Sequence, residues 1–79
     1  MPLSDTATSA AEPTHFWLIT LQYPVHHGFA IATRTGSSTL PPGSTRERAY
    51  VGIREWLEQR EPQLGGASVL FFSLEPYRL

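Results

Sequence analysis

The stretch HFWLITLQYPVHHGFAIATRT, from His15 to Thr35, holds the fold in outline. Its first part, Phe16-Trp17-Leu18-Ile19-Thr20-Leu21, is dense in aromatic and β-branched residues, which suit a pleated, half-buried surface. Pro24-Val25-His26-His27-Gly28 supplies turn chemistry, and Phe29 to Thr35 resumes the strand pattern. The spacing predicts an antiparallel hairpin. With Tyr23 paired to Gly28, Leu21 meets Ala30, Ile19 meets Ala32 and Trp17 meets Arg34 on one face. The other face then carries Phe16 with Thr35, Leu18 with Thr33, Thr20 with Ile31 and Gln22 with Phe29. A one-residue slip would exchange the faces of one strand.

The first of these faces sets large residues beside alanines. Two neighbouring alanines leave a shallow trough, so that face is assigned to a helix. Gly36-Ser37-Ser38 reads as a break or bulge, with Thr39-Leu40 resuming the strand before Pro41-Pro42-Gly43 ends it. Ser44-Thr45-Arg46-Glu47 then fits a capping box, with Ser44 at the cap and Glu47 reaching back to it. Ala49, Tyr50, Ile53, Trp56 and Leu57 form one apolar stripe at helical spacing, and Arg54 and Glu58 make an i,i+4 pair on the solvent side. Pro62 stops the helix at Glu61, and Gly65-Gly66 turns the chain back. Gly52, one turn from both Ala49 and Trp56, is expected to face inward and admit a bulky sheet residue.

Val69-Leu70-Phe71-Phe72-Ser73-Leu74 is a third strand, apolar on both faces. The helix returns the chain so that this strand runs in the direction of the second. It lies either beside the first strand, in a fully antiparallel sheet of order 2-1-3, or beside the second through a right-handed crossover. The order 2-1-3 is favoured, because the first strand is the more hydrophobic and suits the centre. The expected fold class is α+β: a β-β-α-β domain over residues 15–79, preceded by a tail over 1–14. That tail is too poor in apolar residues to offset its ordering entropy.

Three apolar strands and one helix leave a sheet face unpartnered. On the register above it carries Phe16, Leu18, Phe29, Ile31, Val69 and Phe71, which are the candidate interface. A chain of 79 residues without cysteine has neither disulfides nor thiolate metal sites to reinforce a small core. Association is therefore the expected remedy, most simply a homodimer, with another protein as the variant. Six such side chains, half buried at about 25 cal/mol per Å², outweigh the cost of association by enough for micromolar binding.

The net charge of −1 gives no long-range field for nucleic acid or anionic membrane. Stacking platforms for single strands need cations beside the aromatic residues, and Arg78 alone is placed near this sheet face. A small-ligand or single-stranded nucleic-acid module using the same apolar face is the alternative reading. No cofactor is implied. The first residues lack the basic and apolar regions of a signal peptide, and no apolar run approaches the roughly 20 residues of a membrane span. A soluble, cytoplasmic protein is expected.

No catalytic or metal site is assigned. His26 and His27, with His15, lack the convergence that a zinc site needs. Ser37, Ser38, Thr39, Ser44 and Thr45 have no assignable base, and the absence of lysine rules out a Walker loop. Arg46 and the amides at the helix start offer no more to an anion than any capped helix does. Glu55, Glu58 and Glu61 alternate with arginines on the outer helix face, as a solvated surface does.

All six basic residues are arginine, in keeping with a GC-rich genome. The closing Val69-Leu70-Phe71-Phe72-Ser73-Leu74-Glu75-Pro76, together with Gly43-Ser44-Thr45-Arg46 before an amphipathic helix, resembles small uncharacterised actinobacterial proteins. The resemblance spans His15 to Leu79. It implies a compact α+β domain and carries no catalytic residue with it.

Overall fold

The computed structural model describes residues 12–79. Three strands, β1 (His15–Val25), β2 (Gly28–Ser38) and β3 (Ser68–Pro76), form one sheet of order β2-β1-β3. Both pairings are antiparallel. Helix α1 (Arg46–Arg60) and a 3-10 turn (Pro62–Leu64) connect β2 to β3. The chain is thus an α+β domain of β-β-α-β order with the most apolar strand at its centre.

The hairpin register differs from expectation by two residues. Leu21 lies opposite Ala32, Ile19 opposite Arg34 and Trp17 opposite Gly36, with Val25 and Gly28 closing a loop made of His26 and His27 alone. Gly28 has φ of +146°, a conformation that side chains rarely adopt, and this lets so short a loop rejoin the strand. Pro24 therefore sits inside β1 and not in the turn. Pairing with β3 ends at Gln22 opposite Ser68, so Pro24 lies where β1 has one neighbour and its missing amide is tolerated. Because a shift of two preserves the alternation of side chains, every residue of the hairpin keeps its expected face.

β2 runs unbroken through Gly36 and Ser37 to Ser38, which pair with Trp17, Phe16 and His15. The glycine marks a close approach and not a break. The Trp17 indole lies over it, and a Cβ at Gly36 would stand 2.8 Å from Trp17 Cε2.

The core lies between one sheet face and α1. Trp17, Ile19, Leu21 and Leu74 meet Ala49, Ile53 and Leu57, with Leu64 and Ala67 closing the end. Ala32 is buried on the helix side of β2, and Ala30 is half-buried on the same side. The buried helix positions recur every four residues, which turns their neighbours onto the flanks. Tyr50 is half-buried edge-on to Phe72 at 5.2 Å, whereas Trp56 is 48% exposed and not part of the core stripe.

The helix cap is Thr45, whose Oγ1 accepts from the Arg48 amide at 3.1 Å. Ser44 is used elsewhere: its amide and hydroxyl both donate to the Pro41 carbonyl, closing a turn with Pro42 second and Gly43 third. Gly43 takes φ of +88° there, as such a turn requires. Gly52 also departs from expectation. It is exposed, and a Cβ built on it meets nothing within 4 Å. No packing within the described residues offsets the roughly 1 kcal/mol that glycine costs inside a helix.

Of the segment read as a tail, residues 1–11 lie outside the described residues. Thr14 fastens both edges of the sheet: its amide donates to Ser38 O and its carbonyl accepts from the Tyr77 amide, each at 2.9 Å.

Candidate interaction surface

The sheet face away from α1 is built by the odd or even alternation of each strand. β1 contributes Phe16, Leu18, Thr20 and Gln22, and β2 contributes Phe29, Ile31, Thr33 and Thr35. β3 adds Phe71 opposite Thr20 and Ser73 opposite Leu18. Among the described residues no helix or loop covers this face. Phe29 is 69% exposed, Ile31 64%, Phe71 56% and Phe16 41%. Leu18, in the central strand, is half-buried by its neighbours.

Val69 does not join them. The ladder shifts between Thr20 and Leu21, where Leu70 is the extra residue of a bulge. Beyond it Val69 pairs with Leu21 and packs against the core, on the helix side. Leu70 itself is exposed, beside Phe71. Strict alternation along β3 puts Val69 and Phe71 on one face; the inserted residue separates them. A run of four apolar residues gives no sign of where such an insertion falls.

The polar part of the face is neutral. Thr20 and Thr33 share a hydrogen bond of 3.0 Å across the strands. The carboxylate at the margin is Glu75, opposite Phe16. Arg34 lies on the helix side, where its Nε donates to Glu61 Oε2 at 2.8 Å and its Nη2 to Oε1 at 2.7 Å. This two-pronged hydrogen bond, aided by the opposite charges, holds the Glu61 carboxyl below its usual range and raises Arg34. Arg78 pairs with Glu12 at 2.7 Å. The strand positions of the open face therefore carry no arginine.

The other candidate groups do not converge. His26 and His27 sit edge-to-face at the hairpin tip, with ring centroids 4.2 Å apart. His15 begins β1 at the other end, roughly 35 Å away along the strand. Glu58 pairs with Arg54 at 3.5 Å. Arg54 is less solvated than its spacing implies, since it also donates to the Tyr50 hydroxyl at 3.0 Å and the Ala67 carbonyl at 3.3 Å. It ties α1 to the segment entering β3.

A second feature escapes a reading that sorts helix positions into core and solvent. Arg48, Gly52 and Trp56 follow one another at i, i+4 and i+8 along the flank of α1 nearer β2. Opposite them, Trp17 and Gly36 complete a groove of about 490 Å³. The Trp17 and Trp56 rings meet edge-to-face at 6.2 Å, and the Arg60 guanidinium lies 4.7 Å over Trp56.

Comparison with protein-family models, curated proteins and solved structures finds no match to this chain. Among the described residues, no helix is long and apolar enough to cross a membrane.

Proposed function

We propose that this chain is a non-enzymatic interaction module that forms a homodimer through its open sheet face. One observation carries the reading: Phe16, Phe29, Ile31 and Phe71 stand exposed on a face whose remaining strand positions are mostly threonine, serine and glutamine. Large aromatic and aliphatic side chains in a neutral surround are what a desolvated interface uses. A two-fold axis lets the same patch meet itself, and no like charges are brought together at its centre. Sheets packed in this way interdigitate at about 10 Å spacing, so the threonines fill between the larger groups.

Dimerisation also answers the size of the domain. Its core rests on one helix and one sheet face, and chains this short gain most from a second interface. A different protein on the same face is the variant of this reading. The single-stranded nucleic-acid alternative lacks the cations that would track phosphates, because Arg34 and Arg78 are engaged with Glu61 and Glu12. A cytoplasmic setting goes with the proposal and rests on the residue pattern alone. Light scattering coupled to size exclusion, with Phe71→Asp as the companion variant, tests it: a two-chain mass reduced to one by the variant supports it, and a one-chain wild type rejects it.

A further inference from the structure

We infer that the groove between α1 and β2 is a binding site for a small organic anion with a flat apolar body, such as an aromatic carboxylate. This site is separate from the open sheet face and does not depend on dimerisation.

The helix is pinned on two sides. Arg54 and Tyr50 hold it toward β3 through Ala67 and Phe72, and Glu61 holds its C-terminal end to β2 through Arg34. Among the described residues nothing comparable draws its N-terminal half onto β2, and the groove opens there. Its volume of about 490 Å³ lies in the range of small-molecule sites.

The walls have a definite chemistry. The helix flank presents a cation at Arg48, a gap at Gly52 and an aromatic ring at Trp56. Arg48 and Trp56 are about 12 Å apart along the helix axis at ~1.5 Å per residue, room for a ring with a short acidic arm. Gly36 removes the side chain from the facing strand, so Trp17 and Ile53 form the apolar floor. Among the described residues the Arg48 guanidinium makes no hydrogen bond or ion pair, although Glu47 and Glu55 border a neighbouring depression that Arg48 also lines. The Arg60 guanidinium, 4.7 Å over the Trp56 ring, adds a second positive charge at that end. Gly52 has no packing role in the fold, yet any side chain there would stand between Arg48 and Trp56. Its place on this flank is accounted for by the space it leaves.

The probe is naphthalene-2-acetate, titrated into the ¹⁵N-labelled full chain, with 2-(2-naphthyl)ethanol as the uncharged control. Saturable shifts are expected at the Gly36 and Gly52 amides and at the indole N–H groups. Affinity should fall about tenfold or more for the alcohol and for Arg48→Gln, the loss expected when a charge-assisted contact is removed. Gly52→Leu should abolish binding while the chain stays folded, since leucine is the better helix former. Equal affinity for acid and alcohol would overturn the assignment. So would undiminished binding to Gly52→Leu, shifts confined to Ile31 and Phe71, or the absence of any saturable shift.

Discussion

The indole of Trp17 lies flat enough over Gly36 that a methyl group on that glycine would collide with its six-membered ring. The two are cross-strand partners, and Trp17 is among the most buried residues of the core. Gly36→Ala should therefore destabilise the fold by about 1–3 kcal/mol, the usual cost of overpacking a rigid site. Urea denaturation checks this, and Trp17→Leu should relieve much of the penalty in the double variant.

Gly52 should behave in the opposite way. With nothing within 4 Å of an added Cβ, Gly52→Ala gains helix propensity without a clash. Stabilisation of about 1 kcal/mol is expected by the same denaturation measurement.

The pair of Arg34 with Glu61 gives a dependence on pH. Glu61 has its folded pKa lowered, chiefly by the hydrogen bond from Arg34. Its contribution is thus complete above the unfolded value of about 4.3 and is lost as pH falls through the lower folded value. Glu61→Gln should be less stable than wild type at neutral pH, and the difference should shrink below about pH 4. Both groups are partly solvated, so added salt should reduce the difference as well. Denaturation at a series of pH values and two salt concentrations measures each effect.

Leu70 makes a prediction about register. It is the extra residue in β3, so its deletion leaves Val69 opposite Leu21 and Phe71 opposite Thr20 with regular alternation. The shortened chain should fold cooperatively. Deletion of Leu74 instead puts a serine or a glutamate at the core position opposite Trp17 and should destabilise the fold by about 3 kcal/mol or more. Circular dichroism melts of the two deletions distinguish these outcomes.

Much of this architecture can be read from the residues, and the reasons are particular. The density of β-branched and aromatic residues at Phe16–Leu21 identifies the central strand and with it the strand order. Ala30 and Ala32 identify the helix side, and a two-residue error in register leaves that inference untouched because side chains alternate with period two. Other features depend on choices that local pattern leaves open. Ser44 and Thr45 are equally good caps; a proline-glycine turn takes the first and leaves the second to the helix. The bulge at Leu70, which removes Val69 from the open face, arises from pairing with β1 and has no local mark. Gly52 and Trp56 fall on a flank that is neither core nor outer surface, so helical periodicity alone misplaces them both.

The proposed association through the open face rests on Phe71 and its neighbours. Phe71 is more than half exposed, so Phe71→Asp should leave the isolated chain folded, at a cost of about 1–2 kcal/mol, while breaking the proposed dimer. The most direct measurement is the solution mass at high micromolar concentration by light scattering coupled to size exclusion. A mass of twice 8.8 kDa, falling to 8.8 kDa for Phe71→Asp, is the predicted result. A wild-type chain that stays at 8.8 kDa throughout would contradict it.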